Sequence, residues 1–329
     1  MALVGSETLL GREIRDSAAS SAPEIDFRLI AGDETHAGSL TRFGDEPAIL
    51  FDLAAASLAD MRAVFLAGSE VSSRKALEFW DRDPGAAVID LTCVAEERPD
   101  ARLRAPSVES EPESAGSAVY VVAHPAAIAL ALFFRGLSRR GAIRRSVVQI
   151  LAPASEHGAA GVEELQGQTV SLLSFKNMPK AVFDAELGFN LLARYGEDAP
   201  ASLEAAELRI ERHLATLLAL PGEGADAPMP SLRVVQAPVF HGYSFSAWVE
   251  FGGAPDIEAL ESGLASEWIE VRGRDVEPPT NVGQAGQRGV SVGAIAADRN
   301  APGACWFWLV ADNLRLAADN AVAVARQVV

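Results

Sequence analysis

The sequence predicts a two-domain α/β protein, in which a doubly wound parallel sheet precedes an α+β region. A length of 329 residues exceeds the usual size of one hydrophobic core, so two domains are expected. Hydrophobic residues make up 49% of the chain, which is ample apolar material for a folded, globular protein. Short apolar segments alternate with helical segments through the first third of the chain, and such alternation is typical of a parallel sheet.

The strands of the first region are short apolar runs separated by turns or helices. A glycine turn follows the first run, and a helix with apolar residues at helical spacing begins at Leu9. The first run is shorter than an ordinary strand, which suggests a true start upstream of Met1 or a frayed strand. Residues 106–117, rich in Ser, Glu, Pro and Gly, form a surface connection. The predicted strands are residues 2–4, 27–31, 47–51, 63–67, 86–90 and 118–123.

The second region favours longer strands with one helix between them. Residues 146–151, 232–240 and 244–251 are predicted as strands. Ser202 is a good N-cap for a helix over residues 202–218, whose apolar residues fall on one face. A strand at residues 306–310 and an Ala/Val-rich helix at residues 312–329 complete the chain.

Composition excludes several classes of function. The net charge of -17 opposes binding to nucleic acid and to anionic membranes, since both rely on basic surfaces. Two cysteines and five scattered histidines give no pattern for a metal site or a disulfide framework. The longest apolar run is interrupted by His124 and Pro125, and the start has no signal-peptide pattern, so we expect a cytoplasmic protein without a membrane span.

Several segments occur in the order expected for one known family. They are the loop 5–11, the Ala67-Gly68 turn, residues 88–90, the loop 123–127, residues 235–240, residues 291–293 and residues 310–315. Together they resemble the aspartate-semialdehyde dehydrogenase superfamily, and residues 235–240 and 306–315 are most similar to its Usg-like non-catalytic paralogues. The resemblance implies a Rossmann-like domain at residues 1–122 and 312–329, to which the C-terminal helix returns. It also implies a dimerisation or substrate-like domain at residues 123–311, and a homodimer.

The resemblance also suggests a dinucleotide site after the first strand. Thr8 stands where the family has the middle glycine of its phosphate loop, and Glu7 adds a negative charge there, so we expect weakened binding. Asp33 and Glu34 follow the second strand, where an acidic side chain accepts from a ribose hydroxyl and repels a 2′-phosphate. NAD is therefore favoured over NADP, unless these residues are only a solvated turn. The predicted cofactor-binding residues are Gly5, Thr8, Gly11, Asp33, Ala67, Gly68 and Asn320.

Four positions that carry the family's chemistry hold different residues in this chain. Ala127 stands in place of the nucleophilic cysteine, and Ala152 in place of the glutamine that orients the acyl intermediate. Gln236 replaces the arginine that binds the substrate carboxylate, and Tyr243 replaces the histidine base. A methyl group does not attack an aldehyde, and an amide does not replace a bidentate guanidinium. A phenol is a poor base at neutral pH. We therefore predict that the cysteine-dependent dehydrogenase reaction is lost.

Polar residues near those positions leave two interpretations open. His124, His241 and Tyr243 converge with Glu156 and His157 in a small-molecule site, or they are ordinary polar groups satisfied within the protein. From the resemblance and the exchanged residues we predict a non-catalytic dimer that binds a nucleotide or another ligand. The alternative is an NAD(P)-dependent semialdehyde dehydrogenase or reductase with altered substrate and mechanism.

Overall fold

The chain folds into two compact units. The computed structural model describes residues 1–32, 36–43, 46–110, 118–222, 224 and 227–328. The first unit comprises Met1–Ala123 together with Ala317–Val329, and the second comprises His124–Leu316. The first unit is therefore built from two separate segments of the sequence, and the second from one continuous stretch.

The helices and strands alternate regularly in the first unit and less regularly in the second. In chain order they are β1 (Ala2–Val4), α1 (Leu9–Ser21), β2 (Arg28–Ile30), β3 (Leu40–Phe43), β4 (Glu46–Ile49), α2 (Ala55–Leu58), β5 (Ala63–Leu66), α3 (Glu70–Arg82), β6 (Ala87–Asp90), β7 (Ala101–Arg104), β8 (Val119–Val122), α4 (Pro125–Ser138), β9 (Ile143–Ala152), a 3-10 turn (Ala154–His157), α5 (Gly158–Ser174), α6 (Leu203–Leu218), β10 (Ser231–Gln236), β11 (Tyr243–Phe251), α7 (Ile257–Leu264), β12 (Ile269–Val271), α8 (Asn281–Gln284), β13 (Val290–Ala297), β14 (Ala304–Ala311) and α9 (Asn313–Val328).

A six-stranded parallel sheet with the order β2-β1-β5-β6-β8-β7 forms the centre of the first unit. Although β1 is short, its three residues are fully buried and pair on both sides, which is the environment that a continuous apolar run favours. The chain moves to one side of β1 to form β2 and to the other side to form β5. Between β1 and β5 lies the switch point at which open α/β sheets bind ligands.

The C-terminal helix belongs to the first unit, as predicted. Ala318, Ala321 and Val322 of α9 share a buried core with Ile14 of α1. The hydroxyl of Ser17 donates a hydrogen bond of 2.6 Å to Asp319, across 302 positions of the sequence. The predicted Rossmann-like architecture of this unit is therefore confirmed.

The strand predicted at residues 47–51 forms as β4, Glu46–Ile49, but it does not join the parallel sheet. Residues 46–49 instead form an antiparallel hairpin with β3, and only Phe51 forms a parallel bridge, to Ile30. Pro47 has no backbone N–H and is unsuited to a central strand, whereas an edge or a hairpin accepts it. The edge strand β7 was not predicted, because its sequence Ala-Arg-Leu-Arg lacks a continuous apolar run.

A mixed six-stranded sheet with the order β10-β9-β11-β14-β13-β12 forms the centre of the second unit. Strand β11 pairs antiparallel with both β9 and β14, which confirms the predicted α+β character. The strand predicted at residues 232–240 ends at Gln236, since Pro238 has no N–H for a sheet ladder. Helix α5 was not predicted. Within the described residues, no helix is long and apolar enough to cross a membrane.

Two loops of the first unit approach each other at the switch point. Gly5 ends β1 with φ of +81°, and a Cβ atom on it would lie 2.3 Å from the Cα of Gly68, which follows β5. No side chain fits between the two backbones, because Cβ contacts below 3.0 Å essentially never occur. Gly5 is therefore required by both its conformation and its surroundings.

We expect Gly5→Ala to lower the free energy of unfolding by about 3 kcal/mol, since it combines a strained φ with a backbone clash. Gly85→Ala is the matched control, because a Cβ there meets no atom within 4 Å. It should change stability by less than about 0.5 kcal/mol. Chemical denaturation of both variants measures the difference, and equal stability of the two would contradict the proposed role of Gly5.

Candidate functional site

The loop after β1 is closed by its own threonine. Thr8 accepts a hydrogen bond of 2.9 Å from the backbone N of Gly11 and so caps α1. Its hydroxyl lies 2.8 Å from the carbonyl oxygen of Gly5 and 2.9 Å from that of Ala67. The residue that departs from the glycine pattern therefore joins the loops that follow β1 and β5.

The glycines around this loop leave room for backbone atoms only. A Cβ on Gly11 would lie 2.1 Å from the carbonyl oxygen of Gly5, and one on Gly68 would lie 2.4 Å from the hydroxyl of Ser72. The structure thus brings Gly5, Thr8, Gly11, Ala67 and Gly68 together at the switch point. In dinucleotide folds, a tight glycine turn after the first strand lets the backbone approach the pyrophosphate closely. These residues therefore fit a nucleotide.

The other two predicted cofactor residues are Asn320 and Asp33. Asn320 is fully buried in α9, where its side-chain oxygen accepts a hydrogen bond of 3.0 Å from the backbone N of Ser107. It holds the segment after β7 in place. Asp33 lies outside the described residues.

In the second unit, the half-buried carboxylate of Glu156 joins two other polar side chains that the sequence singled out, His124 and Tyr243. His124 caps α4 by accepting from the backbone N of Ala126 through Nδ1, at 3.2 Å, so the ring proton lies on Nε2. Nε2 lies 2.8 Å from Glu156 and donates to it. The hydroxyl of Tyr243 also donates to Glu156, and the Tyr243 and His124 rings lie 5.9 Å apart, edge to face.

The charges of this cluster are fixed by burial and hydrogen bonding. Desolvation by burial raises the pKa of Glu156, but attraction to His124 and hydrogen bonds from His124 and Tyr243 outweigh it and lower the pKa to about 2. Burial and the neighbouring Glu156 raise the pKa of Tyr243 well above its usual value. The phenol therefore stays protonated and cannot act as a base at neutral pH.

The position of the nucleophile offers no reactive group. Ala127 is fully buried in the first turn of α4, directly after Ala126, whose backbone N donates to the capping side chain of His124. His241 is half-buried, and its carbonyl accepts from Asn281 at 3.3 Å. Among the described residues its side chain forms no hydrogen bond with the cluster, so His241 does not join His124 and Tyr243.

A second polar network surrounds Gln236, in the position of the substrate-binding arginine. Its amide nitrogen donates to the carbonyl oxygens of Ala152 and Ala237, at 2.9 and 3.2 Å. Its amide oxygen accepts from the hydroxyl of Tyr195 at 2.7 Å. Since that hydroxyl gives its proton to Gln236, it accepts from Nε2 of His157, at 2.8 Å. Gln236 is fully buried and engaged within the protein.

The sequence did not indicate Tyr195 or the acceptor role of Glu156. Tyr195 lies between α5 and α6, in a stretch without the periodicity of a helix or a strand. A signal did exist, because a buried amide at the end of a strand requires partners. The sequence did not specify which distant residue supplies them.

A cavity of about 420 Å³ opens beside Tyr195 in the second unit. Charged side chains of both signs line it, namely Arg194, Glu197, Glu204, Glu207 and Arg233. Glu207 accepts from the backbone N of Val234 at 2.7 Å and pairs with Arg233 at 3.4 Å. This wall therefore presents carboxylates beside guanidinium groups.

Comparison with known proteins confirms the family resemblance. Residues 135–316 match the dimerisation domain of semialdehyde dehydrogenases. A USG-1 protein homolog from Pseudomonas aeruginosa is 33% identical over 291 residues, which cover 87% of this chain and 82% of the relative. An aspartate-semialdehyde dehydrogenase from Rickettsia bellii is 26% identical over 338 residues, which cover 100% of this chain and 97% of the relative.

Solved structures confirm the predicted fold class. A probable aspartate-semialdehyde dehydrogenase from Pseudomonas aeruginosa superposes with a TM-score of 0.81 at 27% identity, covering 99% of this chain and 96% of the other. An aspartate-semialdehyde dehydrogenase from Candida albicans, solved with NADP, has a TM-score of 0.67 at 15% identity, covering 99% and 97% of the two chains. The second likeness concerns the fold alone.

The buried charge of Glu156 gives a testable dependence of stability on pH. Its folded-state pKa of about 2 lies below the ordinary 4.5, so ionisation stabilises the folded state above pH 4.5 and this contribution is lost as the pH falls towards 2. We expect Glu156→Gln to lower the free energy of unfolding at pH 7 by on the order of 3 kcal/mol.

Denaturant titrations of wild type and variant at pH 7, 5, 4 and 3 test this dependence. The difference between their free energies of unfolding should be smaller in the most acidic samples than at pH 7. Glu163→Gln removes an exposed carboxylate from α5 and serves as the control. If the difference in free energy of unfolding between wild type and Glu156→Gln stays constant with pH, the charge of Glu156 is not the stabilising feature.

Proposed function

We propose that this chain, which belongs to the semialdehyde dehydrogenase family, has lost the cysteine-dependent dehydrogenase reaction and acts as a nucleotide-binding or ligand-binding homodimer. One observation carries the proposal. The buried, hydrogen-bonded cluster of His124, Glu156 and Tyr243 adjoins a fully buried Ala127 in the place of the nucleophile.

The loss of chemistry follows from what these side chains do. A thiol in place of Ala127 would still need a base, and the aligned Tyr243 uses its proton to stabilise Glu156. His124 likewise directs the N–H of Nε2 to Glu156. The polar groups of this cluster hold one another, and none is left poised to take a proton from a substrate.

The electrostatics also oppose the family's substrates. A carboxylate and a phosphate need cations, and Gln236 is a neutral amide whose donors are spent on backbone carbonyls. Glu207 adds a negative charge to the cavity wall of the second unit. A small ligand of the second unit would therefore be neutral or cationic rather than a dianion.

Support for nucleotide binding comes from the first unit. Its glycines at the switch point make the close backbone approaches that a pyrophosphate requires. The candidate ligands are NAD and NADP, and we favour NAD because an acidic residue, Asp33, follows β2 in the sequence.

Support for a homodimer comes from the matched dimerisation domain and from one exposed face of its sheet. Val147, Trp248 and Trp306 lie opposite one another on β9, β11 and β14, so their side chains share a face. Val147 is 52% exposed and Trp306 is 44% exposed, and aromatic side chains are frequent in subunit interfaces.

An activity assay tests the loss of the reaction. Wild type should not turn over aspartate semialdehyde with phosphate and either NAD or NADP, and Ala127→Cys should remain inactive because the base and the arginine are also absent. Ala127→Ser controls for the effect of a polar group on folding, measured by thermal unfolding. Turnover by wild type would overturn the proposal and favour an oxidoreductase with an altered mechanism.

Sedimentation analysis tests the dimer. Wild type should sediment as a dimer at micromolar concentration, and Trp306→Glu should raise the dissociation constant by about a hundredfold or more, because it places a charge in an apolar interface. Leu40→Glu makes the same type of change at an exposed apolar residue of the first unit and should leave the dimer intact. Equal effects of the two substitutions would contradict an interface at this sheet.

A further inference from the structure

We propose that Glu7 selects the nucleotide, because its carboxylate accepts a hydrogen bond from a ribose hydroxyl and excludes a 2′-phosphate. The inference rests on the proposed binding of a nucleotide to the first unit. In dinucleotide folds the selecting residue commonly lies at the end of β2. Here the selecting residue lies in the loop that follows β1.

The side chain of Glu7 reaches across to the end of β2. Its Oε1 accepts a hydrogen bond of 2.8 Å from the backbone N of Gly32. The space beside Gly32 is narrow, since a Cβ on it would lie 3.1 Å from the Cα of Gly5 and 3.3 Å from Oε1. The carboxylate of Glu7 is thus anchored at the strand end where the adenosine ribose lies in this fold.

The second oxygen of this carboxylate has an unused capacity to accept hydrogen bonds. Oε2 of Glu7 is buried and has no hydrogen-bond partner within the described part of the chain. A buried carboxylate oxygen without a donor is costly, so a donor is expected at this point. Glu7 as a whole is only half-buried, so a ligand hydroxyl that reaches the carboxylate meets an oxygen that still lacks a donor.

The negative charge of Glu7 is not cancelled by an ion pair. Arg15 is a neighbouring cation, and it interacts electrostatically with Asp16, Arg12 and Glu7. The guanidinium of Arg15 instead donates to the hydroxyl of Thr41 at 3.3 Å and to the carbonyl oxygen of Arg42 at 2.6 Å, which ties the β3–β4 hairpin to α1. Among the described residues Glu7 forms no ion pair, so a 2′-phosphate would meet a like charge that no cation neutralises, whereas a hydroxyl would donate to it.

Calorimetry on the full chain tests this selection with ADP, 2′-deoxy-ADP and ADP that carries a 2′-phosphate. Wild type should bind ADP about tenfold more tightly than either analogue, because one lacks the donor and the other adds a like charge. Glu7→Gln should retain the bond to Gly32 and bind the 2′-phosphate analogue about tenfold more tightly than wild type does. Asp16→Asn removes the same charge from an exposed position on α1 and should leave all three affinities unchanged.

The outcomes separate this inference from the proposal beneath it. If none of the three nucleotides binds to wild type, both nucleotide binding and the role of Glu7 are overturned. If ADP binds but the 2′-phosphate analogue binds equally well, or Glu7→Gln leaves their ratio unchanged, only the role of Glu7 is overturned. The comparison of ADP with 2′-deoxy-ADP uses wild type alone, so equal affinity for the two would overturn the role of Glu7 even if the variant fails to fold.

Discussion

The second unit is organised by the need to keep one buried carboxylate ionised. Glu156 lies in a short turn, and its two donors come from the start of α4 and the start of β11. An uncompensated buried charge would destabilise the unit by several kcal/mol, so the three elements must keep this arrangement. The same constraint explains why the cluster lacks reactivity. The N–H of His124 and the O–H of Tyr243 are engaged by the carboxylate of Glu156, so neither group exchanges a proton with a substrate.

The first unit depends on a different constraint, which is the close approach of backbones at its switch point. Gly5 and Gly68 leave no room for a Cβ, and Thr8 joins the loops through its hydroxyl. The threonine thus stabilises the loop that its side chain was expected to disturb. A loop that is already fixed loses little conformational freedom when a ligand binds, so its stiffness favours recognition of a nucleotide.

The sequence predicted those parts of the fold that depend on local pattern and on family order. The apolar runs at β1, β5, β6 and β8 indicated the parallel sheet, and Ser202 was correctly identified as the cap of α6. Strands β3 and β7 were missed because exposed or edge strands carry no continuous apolar signal, and β4 was predicted but assigned to the wrong sheet. At the candidate site, the sequence identified each residue that differs from the family pattern. Their partners, Tyr195 for Gln236 and Gly32 for Glu7, are set by tertiary contacts that no local pattern encodes.

The return of α9 to the first unit has a consequence for the order in which the chain acquires structure. The second unit is a continuous insertion, so all of its contacts form within one stretch of newly made chain. The first unit must wait for residues after 316 to complete the core shared by α1 and α9. During synthesis from the N-terminus, the insertion is therefore expected to mature first, while an apolar face of α1 stays uncovered and open to chaperones until α9 has been made.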